Sequence, residues 1–178
     1  GVSSAASDVY KRQIMKLEKT VIGVDPGKEG FITVMNESGI THYAMPKVGK
    51  ELDLHGLADL IFKISEECDP TKTIVVIEDV HALYGSSAGA TFNFGLVCGL
   101  LRMGFVMCGL PIVLVSPKKW QKEMHEGVKV NPDKKVMSIL AAQRLFPNHD
   151  LRRTEACKKP DDNLVDSLLI AEYGRRHY

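Results

Sequence analysis

Two apolar runs end abruptly on carboxylates. Thr20-Val21-Ile22-Gly23-Val24 leads into Asp25, where Pro26-Gly27 forces a turn, and Thr73-Ile74-Val75-Val76-Ile77 leads into Glu78. Runs rich in β-branched residues favour extended chain, so both carboxylates stand at strand ends. In an open α/β sheet ligands gather beyond such ends, and the two side chains meet if their strands are neighbours. Further on, Asp162 and Asp166 lie four positions apart, a spacing that sets both on one face of a helix. Asp166 falls among Leu164, Val165, Leu168 and Leu169, where a carboxylate without a partner or a ligand is costly. Clustered carboxylates repel and raise each other's pKa values, and divalent cations remove that cost. Ligands that are all oxygen suit Mg2+ or Mn2+, and two such ions about 4 Å apart can activate water and stabilise the leaving oxygen of a phosphodiester. That chemistry needs no protein nucleophile.

Plainer readings exist for single residues. Asp25 alone reads as a turn aspartate bonded to its own backbone. Asp161 and Asp162 follow Pro160, where aspartate is favoured at a helix N-terminus, so Asp162 alone reads as a cap. Asp79 reads as a loop residue. Glu78 and Asp166 resist such accounts, and the convergence of four carboxylates is what points to metal-assisted hydrolysis.

The elements that must position these groups follow from periodicity. Phe31 to Met35 alternates as a second strand, and Ile40 to Ala44 completes a meander. Residues 45–51 read as a loop, and residues 52–68 as an amphipathic helix stopped by Asp69-Pro70. The strand ending at Glu78 is apolar throughout, as expected of a strand covered on both faces. A loop rich in Gly, Ser and Ala follows, then a helix over 92–108 that is apolar nearly all round, and a strand over 111–115. A short helix over 117–126 carries Lys118, Lys119, Trp120 and Lys122. Asn131-Pro132-Asp133 starts another helix, with Val136, Ile139, Leu140 and Leu145 as its apolar face. Residues 148–159 form a polar, basic loop, and the last helix spans 160–173. The expected fold is α/β: a mixed five-stranded sheet, antiparallel in the meander and parallel at the crossovers, flanked by helices.

Composition sets bounds. The 178 residues suit one domain; 44% are hydrophobic and 25% charged, as in an ordinary globular protein. A net charge of +1 does not mark a nucleic-acid binder, so any such role rests on a local basic patch beside the acidic site. Cys68, Cys98, Cys108 and Cys157 show no metal-type pairing, which favours a reducing compartment. The uncharged stretch 103–115 is too short to span a bilayer. Residues 1–18 match no periodic template and read as a disordered extension or a cloning or sequencing scar, with 19–178 as the functional domain. They lack the apolar core of a signal peptide, and a degraded transit peptide remains open.

Three motifs together carry a resemblance. Gly-Val-Asp-Pro-Gly on the first strand, Ile-Glu-Asp after the buried strand, and Lys-Pro-Asp-Asp-Asn-Leu-Val-Asp-Ser-Leu-Leu-Ile-Ala-Glu-Tyr on the last helix resemble the RuvC-type Holliday-junction resolvases, most of all their phage-like and organellar branch. The resemblance covers about Thr20 to Arg175. It implies a ribonuclease-H-like fold, a homodimer, and two-metal cleavage of four-way DNA junctions by paired symmetric nicks that leave 5′-phosphate and 3′-hydroxyl ends. It implies Mg2+, with Mn2+ as a substitute, and neither a small-molecule cofactor nor a membrane. The setting would be the cytoplasm of a bacterial or phage-infected cell, with an organelle as the alternative.

Carried over by motif, Asp25, Glu78 and Asp166 match three metal ligands. Many members place the fourth ligand three residues before the last aspartate, which here is Asn163, a poorer ligand. The fourth carboxylate is assigned to Asp162, with Asp161 and Asn163 as the other choices. Lys122 (or Lys119) and Lys134 resemble family lysines that meet phosphates. Tyr84 and Phe92 occupy the region where the family holds aromatics at the junction centre, and stacking on an unpaired base is worth roughly 1–3 kcal/mol. Ser86 and Ser87, in a Gly-Ser-Ser-Ala-Gly run, suit close backbone approach to DNA or a plain flexible loop. Phe92 and Phe94 read equally well as core residues starting a buried helix. Lys118, Lys119, Lys122, Lys129, Lys134, Lys135, Arg152, Arg153, Lys158 and Lys159 flank the acidic site and suit phosphate contacts, though any one of them can be a solvated surface charge. Trp120 reads as a packing anchor. The apolar helix over 92–108 is either central to the core or a dimer interface; the resemblance implies the latter.

Two rivals stand beside this reading. An actin-like or sugar-kinase nucleotide-binding fold also carries Gly-x-Asp-x-Gly on its first strand, but needs two such domains. A non-catalytic junction-binding protein could keep the same fold, against which the intact acidic set argues. A Rossmann dehydrogenase is a poor fit, because Gly23, Gly27 and Gly30 do not match G-x-G-x-x-G.

Overall fold

A computed structural model describes residues 19–79 and 87–178. The elements in chain order are β1 (Thr20–Val24), β2 (Phe31–Asn36), β3 (Gly39–Ala44), β4 (Lys47–Val48), β5 (Glu51–Leu52), α1 (Leu54–Glu66), β6 (Thr73–Glu78), α2 (Ala88–Met107), β7 (Ile112–Val115), α3 (Pro117–Met124), α4 (Lys134–Leu145) and α5 (Asp162–His177). Five strands form one sheet in the order β3-β2-β1-β6-β7. β1, β2 and β3 pair antiparallel, whereas β1–β6 and β6–β7 are parallel. The mixed α/β sheet expected from the sequence is therefore the observed one.

Alternation along the strands separates two cores. Ile22, Val24, Ile32, Val75 and Ile77 face α1 and α2, while Val21, Phe31, Met35 and Val76 face α3, α4 and α5. On β1 the second face continues through Gly23, which lies directly under α5. A Cβ at Gly23 would stand 2.3 Å from the Ala171 nitrogen and 2.3 Å from the Ser167 carbonyl oxygen. The reverse holds near the far end of α5, where a Cβ at Gly174 would lie 2.7 Å from both Val21 and Val76 side chains. These two glycines let the last helix rest on the backbone of the sheet. The same alternation, continued by two residues, delivers Asp25 and Glu78 to the α5 face.

Several boundaries differ from those expected. The first helix begins at Leu54 rather than residue 52, because Asp53 caps it by accepting from the Gly56 N–H at 3.0 Å. Glu51 and Leu52 instead pair with Lys47 and Val48 in a short ladder inside the expected loop. α2 starts at Ala88, earlier than expected: Ser87 Oγ accepts from the Ala90 N–H at 3.2 Å, and the Gly/Ala run that follows is helical. α5 extends to His177.

α4 is turned from the face read in the sequence. Met137, Ser138, Ala141 and Ala142 are buried, Ile139 and Leu145 pack partly, and Val136 and Leu140 are exposed. Small alanines allow closer approach to α5 than leucine would, and their face wins. α2 is long and apolar enough to cross a bilayer by length and composition alone. It packs Val97, Cys98, Leu101 and Phe105 inward and leaves Phe92, Leu96, Met103, Val106 and Met107 exposed.

Candidate active site

The parallel register of β1 and β6 pairs Val24 with Ile77, so Asp25 and Glu78 leave adjacent strands at the same level. Strands in a sheet lie about 4.8 Å apart, and the two carboxylates repel one another. Burial first, and then the Glu78 charge, push Asp25 up to about 7, against a hydrogen bond from the Gly27 N–H. That bond, 3.3 Å to Oδ1, is the turn contact expected of Asp25, so the turn role and the site role coexist. Burial likewise pushes Glu78 up to about 7; a hydrogen bond from Trp120 opposes the shift and the Asp166 charge adds to it. Asp166 completes the set. Burial raises it to about 7, the Ser138 hydroxyl works downward, and Asp25 and Asp162 push upward. Three carboxylates from two strands and one helix thus lie within electrostatic reach of one another, and their simultaneous ionisation is unfavourable.

Of the three choices for the fourth ligand, the structure gives Asp161 the capping role. Its Oδ1 accepts from the N–H groups of Asn163 at 3.0 Å and Leu164 at 3.1 Å, and its Oδ2 from Arg153 at 2.6 Å. Asp162, read alone as a cap, is the first helical residue instead and pairs with Lys135 of α4. Partial burial acts upward on Asp162, and the hydrogen bond and charge of Lys135 outweigh it, holding the carboxyl below its usual range. Asp162 also adds to the charge felt by Asp25 and Asp166.

The basic residues divide into two kinds. Lys118, Lys119, Lys122, Lys134 and Lys158 are exposed. Arg152 is engaged within its loop, with two bonds to Asp150 at 2.9 and 2.7 Å and one to the Glu155 carbonyl at 3.0 Å. Arg153 ties the site together: besides Asp161 it donates to the Glu29 carbonyl at 2.9 Å and lies 4.8 Å over the Phe31 ring. It thereby fastens the turn after Asp25 to the start of α5. Phe92 is 71% exposed, and Phe94 is half-buried beside Lys28 and Asn93 at a cavity of about 570 Å³. Ser87 is an exposed helix cap. Tyr84 and Ser86 lie outside the described residues, as does the 1–18 segment. Asp79 pairs with Arg102 of α2 at 2.8 Å.

Sequence reasoning missed three partners of the carboxylates. Trp120 is fully buried, as an anchor should be, yet its indole N–H also donates to Glu78 Oε1 at 2.8 Å. Ser138 faces Asp166, and Lys135 rather than Lys134 faces Asp162. The last two lie three apart on α4, a pairing visible in the sequence only once the helix start at Asp133 is fixed.

Among the described residues no three His, Cys, Asp or Glu side chains are already drawn tightly enough to hold an ion. Glu78 accepts from Trp120, and Asp162 from Lys135. The chemistry of the carboxylates nevertheless fits hard divalent cations. The donors are all oxygen, three are raised to about 7, and Asp166 Oδ1 is shielded from solvent with no hydrogen-bond partner. Such an orphaned buried oxygen calls for a positive ligand.

Sheet order, strand directions and the covering helices define a ribonuclease-H-like fold. Solved structures of resolvases share this fold. The chain is similar to RuvC of Thermus thermophilus in complex with a Holliday junction substrate, at TM-score 0.62 and 12% identity over 89% of this chain and 96% of that one. A second T. thermophilus RuvC structure matches at TM-score 0.53 and 14% identity, over 88% and 96%. The yeast mitochondrial Holliday junction resolvase matches at TM-score 0.52 and 15% identity, over 92% and 82%. No protein-family model and no curated protein sequence matches the chain. The resemblance carried by the three motifs is met at the level of the fold.

Proposed function

We propose that the protein is a divalent-cation-dependent endonuclease that resolves four-way DNA junctions, with residues 19–178 as its nuclease domain. The observation that carries this reading is the trio Asp25, Glu78 and Asp166, raised together to about 7 at the carboxyl ends of two parallel strands. The two rivals account for less, since neither nucleotide binding nor junction binding alone calls for three carboxylates held at such cost.

Asp25, Glu78, Asp166 and Asp162 would hold two Mg2+ or Mn2+ ions, which supply the positive charge needed for in-line attack of water on a phosphodiester and for departure of the 3′ oxygen. The side chains set the stage for that step. Asp25 and Glu78 are fixed by strand register, and Asp166 by the contact of α5 with Gly23. Lys135 neutralises Asp162 in the absence of substrate and is free to turn toward a phosphate, because its ammonium is largely exposed. Lys118, Lys119, Lys122, Lys134 and Lys158 form an exposed basic rim that grips backbone phosphates without reading sequence. Phe92 offers a ring for stacking at the start of α2. The exposed apolar stripe of α2 meets its counterpart on a second copy, and the resulting two-fold axis matches paired nicks on a symmetric junction.

The test is an Asp25→Asn variant assayed on a synthetic junction with Mg2+. Loss of cleavage by a factor of about a thousand or more is expected, as for removal of a group that anchors the charge of the transition state. Cleavage at the parental rate would overturn the proposal.

A further inference from the structure

A carboxylate that binds a cation through one oxygen is oriented when the other oxygen accepts a hydrogen bond. Glu78 is arranged this way by a donor from α3, and Asp166 has the Ser138 hydroxyl of α4 beside it. The indole of Trp120 has one N–H and no acceptor, and it is spent on Glu78 Oε1 at 2.8 Å. Ser138 is 1% exposed and lies close enough to the Asp166 carboxylate to draw its pKa down, while Asp166 Oδ1 keeps no hydrogen-bond partner. A serine hydroxyl carries one proton. Donated to Asp166, it leaves the Ser138 oxygen as an acceptor, and His125 Nε2 lies 3.1 Å away. His125 is itself buried at the end of α3, and its ring stands edge-on to Trp120 with 6.1 Å between centroids. Trp120, His125 and Ser138 thus form one buried arc that joins Glu78 to Asp166 behind the site.

We infer that His125 and Ser138 are positioning residues for the metal site: the His125 Nε2–H holds the Ser138 hydroxyl so that its proton points at Asp166, leaving Oδ1 turned to the cation. Trp120 does the same for Glu78. The arc rests on the metal-dependent reading above. It also gives the basic rim a route to the site, since Lys118, Lys119, Lys122 and Lys134 lie on the two helices that carry the arc. Outer partners of this kind set the orientation of ligands, and their loss typically costs 10–100-fold in metal affinity.

The experiment is Mn2+ binding to the full chain by calorimetry, with thermal melting and junction binding in chelator measured beside it. Ser138→Ala and His125→Leu are expected to weaken Mn2+ binding about tenfold while junction binding in chelator stays unchanged. His125→Gln, which keeps an N–H donor, is expected to remain within about threefold of the parent. Parental Mn2+ affinity in Ser138→Ala would overturn the inference. Equal losses in His125→Leu and His125→Gln, tracking the melting temperature, would overturn it too, by showing a packing role alone. Absence of Mn2+ binding in the parent protein would overturn the metal-dependent reading itself, and the inference with it.

Discussion

Gly23 of the central strand and Ala171 of the last helix are in backbone contact: a Cβ added at Gly23 would stand 2.3 Å from the Ala171 nitrogen. No side-chain rearrangement can relieve that clash, because both partners are main chain. Gly23→Ala must push α5 off the sheet, and α5 carries Asp162 and Asp166. Overpacking of a rigid contact costs roughly 3 kcal/mol. The expected outcome is a urea midpoint lowered accordingly, with cleavage reduced more than stability, because the carboxylates separate. Parental stability and activity in the variant would show that α5 sits farther from β1.

The carboxylate trio makes the metal-free site unstable at high pH. Asp25, Glu78 and Asp166 are raised to about 7, above their ordinary values of 3.8, 4.5 and 3.8. Between those limits the folded state binds more protons than the unfolded one, so stability falls as pH rises through this window. Cations reverse the penalty by favouring the ionised form. Added Mg2+ should therefore raise the melting temperature more at pH 8 than at pH 5, and Asp166→Asn should melt higher than the parent in chelator at pH 8. The gain expected for Asp166→Asn is of order 1–3 kcal/mol, alongside loss of cleavage. A Mg2+ shift equal at the two pH values would contradict the electrostatic account.

A second titrating pair acts in the opposite sense. His42 on β3 and His149 in the loop before α5 meet at 2.6 Å between their Nε2 atoms, and Thr33 holds His42 from the other side at 2.8 Å. Burial, then the neighbouring His149, lower His42 to about 4, and burial lowers His149 as well. The unfolded chain takes up these protons near 6.5 and the folded chain does not, so this pair withdraws stability as pH falls from 6.5 toward 4. His149→Gln keeps a hydrogen-bonding group and removes one titrating ring. Its stability relative to the parent should rise steadily between pH 7 and pH 5 in denaturant titrations. A constant difference across that range would show that the pair does not titrate on folding.

The outer stripe of α2 predicts an oligomer. Met103 is 59% exposed at the middle of the stripe. Met103→Glu should leave the folded monomer intact and weaken self-association at least tenfold, about 1.4 kcal/mol, by sedimentation. Junction cleavage should fall with it. A parental sedimentation profile would place any dimer contact elsewhere.

The sequence was most legible where chemistry and chain direction coincide. Asp25 and Glu78 could be placed because each ends an apolar strand, and their meeting needed only that the strands be neighbours. Asp166 stood out as a charge inside a leucine stripe. What stayed hidden depends on how distant segments meet. The bond from Trp120 to Glu78 spans 42 positions, and a tryptophan between lysines gives no sign of its partner. Ser138, and the pairing of Lys135 with Asp162, are hidden in the sequence because the larger apolar residues of α4 suggest a different face, whereas Ala141 and Ala142 form the actual contact face. The start of α2 resembles a loop in sequence because Gly, Ala and Ser favour flexibility, and the Ser87 cap that begins the helix is a single hydrogen bond.

The central claim is tested most directly by offering the protein a synthetic immobile four-way DNA junction with Mg2+, with chelator, and beside a linear duplex of the same sequence. The account predicts symmetric nicks on the junction alone, dependent on Mg2+ and leaving 5′-phosphate ends. Tight junction binding without metal-dependent cleavage would contradict it and leave a non-catalytic junction-binding protein.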